Sequence, residues 1–112
     1  MDELADVTIT AEDADWLAGF IHRLISDRLA ACGNIIPAVR SVYVWDGRVQ
    51  EGAEALALIH TRRSLVDAII ERVDREHPDQ TPQVLVLAVS AAHPGYREWL
   101  LESTGRPEAA EG

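Results

Sequence analysis

Four histidines, one cysteine and a scatter of carboxylates are the residues of this chain that could carry chemistry. Cys32 stands in "LAACGNIIP" with Ala30, Ala31 and Gly33 about it, and no cation beside it in sequence to favour a thiolate. It can be a packing residue, as free cysteines commonly are, or a nucleophile if the fold supplies a base. It can equally be a soft metal contact suited to Cu(I). His22, His60, His77 and His93 form no HxxxH, no HExxH and no Cys/His pair at zinc spacing, which argues against a preformed structural zinc site. His77 lies in "EHPDQ" beside Glu76, Asp79 and Gln80. It reads either as a surface turn or as an imidazole flanked by carboxylates, a weak contact for Cu(II) or Zn(II). His60 runs into Thr61, Arg62 and Arg63 at a strand-to-helix junction, where the arginine pair is either solvated or able to hold an anion.

Other chemistries are excluded more firmly. There is no GxGxxG, no P-loop and no GxSxG elbow. All ten basic residues are arginines, so a Schiff-base lysine and a Walker lysine are both impossible. "EDAD" at 12 to 15 lacks the glycine and closing glutamate of a calcium loop and suits a helix start instead. No paired acid and base or activated nucleophile can be assembled, so the expectation is not an enzyme.

The chain has 112 residues, enough for one domain with a real core. Its net charge of -9 argues against a nucleic-acid partner. One cysteine allows no internal disulfide, and "MDELADV" lacks an apolar leader segment. The longest apolar run, "VLVLAV", is too short to span a bilayer. A cytoplasmic protein with no membrane association is the expectation.

These residues must be positioned by elements that the patterning predicts. "ADVTIT" at 5 to 10 alternates as a strand. Thr10 and Asp13 then offer a capping box for a helix whose apolar face is Trp16, Leu17, Phe20, Ile21, Leu24, Ile25 and Leu29, leaving His22 outside it. "VRSVYVWDGRVQ" predicts a hairpin about Asp46-Gly47, with Trp45 opposite Arg48, the guanidinium stacked on the indole, and Val44 opposite Val49. Pro37 puts an edge or bulge into its first strand. A second helix follows Ser64 as cap, carries Leu65, Val66, Ile69, Ile70 and Val73 with a Glu71–Arg75 pair, and stops before Pro78. "QVLVLAVS" predicts a strand covered on both faces. A last helix enters at His93-Pro94, presents Tyr96, Trp99, Leu100 and Ser103 on one face, and ends at Gly105.

The order β-α-β-β-α-β plus a C-terminal helix is an α+β, ferredoxin-like antiparallel sheet over residues 1–105, with a disordered tail at 106–112. Such a sheet leaves one face and two edges open, which favours self-association.

"DRLAACGNIIPAVRSVYVWDGRV", "LIHTRRSLVDAIIERVDREHPDQTPQVLVLAV" and "HPGYREWLLEST" resemble, in register, segments of the CutA divalent-cation-tolerance proteins. The resemblance covers about residues 5 to 104 and implies a homotrimer in which the long hairpins lend edges to neighbouring subunits. Trp45, with Tyr43, would then lie at the trimer interface. It implies tolerance of copper and other divalent ions, weak binding of a divalent metal, and no firm enzymatic activity. Carried over by position, Cys32 and His77 are the metal contacts it implies. Ile9, Asp79, Gln83 and His60 depart from the family pattern; the loss of a thiol at 9 and the gain of His60 and Asp79 favour Cu(II) over Cu(I). The alternative is a trimeric PII-like scaffold or sensor binding a small anion at inter-subunit clefts through Arg62 or Arg63.

Overall fold

The computed structural model describes residues 2–106. The expected tail lies outside the described residues from 107 onward. In chain order the elements are β1 (Leu4–Ala11), α1 (Ala14–Ser26), β2 (Cys32–Trp45), β3 (Arg48–Arg62), a single 3-10 turn (Arg63–Leu65), α2 (Val66–Glu76), β4 (Val84–Ala88) and α3 (Pro94–Ser103). The four strands form one antiparallel sheet in the order β2-β3-β1-β4, the ferredoxin-like arrangement.

Strand alternation divides the sheet into two faces. Val7, Ile9 and Ala11 on β1 and Ala55, Ala57 and Ile59 on β3 are buried with Leu17, Phe20, Ile21 and Leu24 of α1 and Val66, Ile69 and Val73 of α2. Trp16 stacks on Phe20 with ring centroids 5.1 Å apart. Outside this core an ion network ties the two helices together. Arg72 reaches Glu76 at 2.6 Å and Asp27 at 2.7 Å, and Arg23 reaches Glu76 at 2.9 Å. This Arg72–Glu76 pair, rather than Glu71–Arg75, is the i,i+4 contact recorded on α2.

The caps differ from expectation in two places. β1 continues to Ala11, paired with Ala55, so Thr10 stays in the ladder and Asp13 caps α1 by accepting from the Asp15 N–H. Ser64 donates to the Asp2 carboxylate from within the 3-10 turn, and α2 begins later, at Val66. α1 closes with Arg28 in the left-handed region (φ 61), Leu29 N–H donating to the Leu24 carbonyl and Arg28 N–H to Ile25. That is the paired-bond ending usually built on glycine. α3 begins as expected, with His93 Nδ1 accepting from the Gly95 and Tyr96 N–H groups. It ends at Ser103, with Thr104 extended as its cap and Gly105 (φ 74) just beyond.

The hairpin turns at Asp46 (φ 52) and Gly47 (φ 73), and its register pairs Trp45 with Arg48 and Val44 with Val49. The stacked cation recorded among the described residues is Arg23 over Phe20, at 5.9 Å, not Arg48 over Trp45. A register shift between Ile36 and Val39 marks a bulge at Pro37 and Ala38. Past Ala55 the ribbon has two strands only, because β1 ends opposite that residue. Val42, Val44, Trp45 and Val49 are strongly exposed there.

Within the single chain, β4 is covered on one face and not on both. Leu85 and Leu87 are 57% and 54% exposed, and Ile36 shares their side of the sheet. The reason is topological, since α1 and α2 both pack on the opposite face.

Candidate functional site

The open face is built in rungs that cross the sheet. Registers place Cys32 beside His60, His60 beside Asp6, and Asp6 beside Leu87. The next rung runs Asn34, Leu58, Thr8, Leu85. His60 points both ring nitrogens at acceptors: Nδ1 lies 2.6 Å from Asp6 Oδ1 and Nε2 lies 2.8 Å from Asn34 Oδ1. The ring is held between a carboxylate on one side and a side-chain amide on the other.

α3 lies over one end of these rungs. Tyr96 meets the His60 ring edge-on with centroids 6.4 Å apart, and Tyr96 contacts Trp99 at 5.3 Å. Burial holds the Tyr96 phenol above its ordinary value. Negative charge on Cys32, a hydrogen bond with that thiol, and the Asp6 carboxylate add to the effect. Cys32 is half-buried.

His77 sits elsewhere. It is 9% exposed, with Nε2 2.9 Å from the Thr10 carbonyl and Nδ1 accepting from the Asp79 N–H at 2.9 Å. Trp16 meets its ring at 4.9 Å. The imidazole therefore acts as a brace between α2, β1 and the 78–83 loop, in the tautomer protonated at Nε2. Neither nitrogen is left facing outward, and Asp79 contributes its backbone rather than a second ligand. Nor can His77 share an ion with Cys32. His77 bonds to Thr10, while Cys32 lies on the rung of Asp6, four strand residues or about 13 Å away.

Arg62 does not face a cleft either. Its guanidinium donates to Thr104 Oγ1 at 2.8 Å, to the Thr104 carbonyl at 2.9 Å and to the Leu101 carbonyl, with Asp2 3.7 Å away. The anion seat expected at Arg62 is thus taken by the C-terminal end of α3; Arg63 is exposed. Tyr43 and Trp45 line a cleft of about 790 Å³ between the hairpin and the 78–83 loop, with Gln50, Glu54 and Asp79 on its walls.

The donors of one chain do not fit a closed divalent-ion site. Among the described residues no group of three His, Cys, Asp or Glu side chains is arranged to hold a metal. On the Cys32–His60–Asp6 rung the outer two side chains stand two strand spacings apart, about 9–10 Å. Sequence reasoning missed Asp6, Asn34 and Tyr96. Asp6 interrupts an otherwise apolar and β-branched strand, which is a visible signal, but the register that sets it against His60 is not.

The CutA1 divalent ion tolerance family model matches residues 6–103. A chloroplastic protein CutA 1 of Oryza sativa is 48% identical over 88 residues, 79% of this chain and 48% of that one. This chain thus spans about half the length of the plant relatives it matches. The divalent-cation tolerance protein CutA of Thermus thermophilus is 34% identical over 105 residues, 94% of this chain and 100% of the relative. Solved structures of CutA1 from Oryza sativa and of the divalent cation tolerance protein from Thermus thermophilus superpose with TM-scores of 0.88 and 0.85. They have 38% and 35% identity, cover 93% and 94% of this chain, and are themselves covered over 95% and 100% of their lengths. With a matching family model over nearly its whole length and relatives at 34% to 48% identity, the chain belongs to the CutA1 divalent ion tolerance family.

Proposed function

We propose that this protein is a homotrimeric, divalent-cation-responsive binding protein whose subunits meet through the open face of the sheet and the hairpin. The carrying observation is the pairing on that face of apolar area with a thiol. Ile36, Leu85 and Leu87 lie exposed beside the Cys32–His60–Asp6 rung. Exposed apolar strands of this extent mark an association surface. The projecting Tyr43 and Trp45 of the hairpin lie at the same interface.

Metal contact is weak in this reading because each protomer offers one soft donor, Cys32, which already meets Tyr96, and the remaining ligands come from outside the protomer. Copper is the expected ion. His60 joins the site only by releasing Asn34 or Asp6, and His77 takes part as a brace.

Light scattering tests the assembly and Cu(II) calorimetry tests the site. The expected mass is three chains. Cys32→Ala weakens Cu(II) binding tenfold or more, about 1.4 kcal/mol. His77→Gln, which keeps a donor for the Thr10 carbonyl, leaves it unchanged. Equal affinity of wild type and Cys32→Ala sinks the thiol assignment; loss of binding in His77→Gln restores the histidine as a ligand.

A further inference from the structure

We propose that α3 is a hinged cover over the Cys32 end of the open face, able to undock as a unit while the main core stays folded. Three observations carry this.

The first is where α3 gets its burial. Its one fully buried residue, Leu100, packs with Leu4 and Ala31 in a small cluster separate from the core beneath α1 and α2. Val89 and Leu101 join that cluster only in part. Small satellite cores open at lower free energy than the domain as a whole.

The second is how the helix is fastened. Arginines from the body of the domain grip backbone carbonyls at its C-terminal end. Arg28 donates from Nε to Gly105 at 2.6 Å and from Nη2 to Glu102 at 2.7 Å, and Arg62 holds Leu101 and Thr104. Gly105 N–H returns a bond to the Arg28 carbonyl at 2.8 Å. Charged donors on helix-end carbonyls are strong and directional, so these contacts hold the C-terminal end of α3 in place. Upstream, Ser90, Ala91 and Ala92 are small, exposed and outside any element, and serve as the hinge.

The third is what lies beneath. Leu100 shares its cluster with Ala31, the residue before Cys32, and Tyr96 stands edge-on to His60, the cross-strand neighbour of Cys32. Opening α3 would therefore uncover the thiol.

The inference concerns the patch proposed above for metal contact, but its test uses no metal, so the two can fail separately. The whole chain is treated with an aromatic disulfide reagent under native conditions, at a protein concentration that keeps its assembly state. The rate of thiol release is compared among wild type, Arg62→Ala and Tyr96→Ala, with hydrogen exchange followed in parallel. Arg62→Ala is expected to raise the Cys32 rate tenfold or more. Amides of Gly95–Ser103 should accelerate by a similar factor, and those of Ala14–Ser26 should be unchanged. Faster α3 amides with an unchanged thiol rate would show that the helix moves without covering. Parallel acceleration in α1 would show global unfolding instead, and either result overturns the proposal. Should Arg62→Ala fail to fold, Tyr96→Ala decides by the same pair of readouts: a faster thiol together with faster α3 amides supports the cover, and a faster thiol with unchanged α3 amides, or an unchanged thiol rate, refutes it.

Discussion

Replacing Gly33 with alanine is a one-carbon perturbation whose cost can be worked from the structure. A Cβ at this position would lie 2.8 Å from Cδ1 and from Cγ2 of Ile21, and 3.2 Å from Cγ1. Comfortable carbon contacts begin near ~3.5 Å. Ile21 is 6% exposed on the buried face of α1. Being β-branched it cannot swing Cγ2 aside without leaving its helical rotamer. Overpacking of this kind costs about 1–3 kcal/mol. The opposing gain, from a less flexible unfolded chain, is about 0.4–1 kcal/mol. The clash wins, leaving a net loss of about 1–2 kcal/mol. Urea denaturation at one fixed protomer concentration should show a midpoint lower by about 0.5–1 M with an unchanged slope. Ile21→Ala alone should cost about 2–4 kcal/mol by opening a cavity. The double variant should recover about 1–2 kcal/mol relative to the sum, because the two changes share one volume. A Gly33→Ala protein as stable as wild type, or strict additivity in the cycle, would refute the packing argument.

Three further expectations follow from the same contacts. Glu76 is held below its ordinary value of 4.5 chiefly by the Arg72 hydrogen bond, with Arg23 adding to it against the effect of burial. Its stabilisation is therefore complete above that pH and lost as the pH falls through the lowered value. Acid denaturation profiles should be flatter for Glu76→Gln than for wild type, and parallel profiles would count against the network. Tyr96 should ionise above pH 10.0, so the absorbance titration that distinguishes wild type from Tyr96→Phe should fall on the alkaline side of that value. Since the unfolded chain ionises first, folding weakens as the pH rises there; a difference step at or below pH 10 contradicts the burial of the phenol. Gly47→Ala meets no atom within 4 Å yet should cost about 1–2 kcal/mol, purely because its φ of 73 disfavours a side chain. An unchanged denaturation midpoint would show that the turn can relax.

The elements were legible because each carried its own period. Asp46-Gly47 set the hairpin register, Pro78 stopped α2, and Pro94 opened α3. Caps were less so. Thr10 and Ser64 both have cap chemistry, but tertiary pairing kept the first in β1 and drew the second to Asp2. The site was least legible. His77 and Asp79 are neighbours in sequence, yet the histidine turns inward to a carbonyl on β1 that is 67 residues away. Arg62 and Arg63 read as a pair, but only the helix returning from the far end of the chain decides that one of them is consumed by Thr104 and Leu101. Local pattern names which residues can act; long-range register decides which are free to.

The bulge at Pro37 and Ala38 bears on how the edge of this sheet resists stacking. β2 is a free edge of fourteen residues, rich in valine and aromatics, and long flat edges of that composition template fibrillar stacking. Because Ile36 pairs with Leu56 but Val39 with Glu54, the edge is broken into two short, differently angled segments, and the proline between them offers no N–H. A stray strand can extend along either segment but not across both. The hairpin can thus be long enough to reach a neighbour without becoming a nucleus for aggregation.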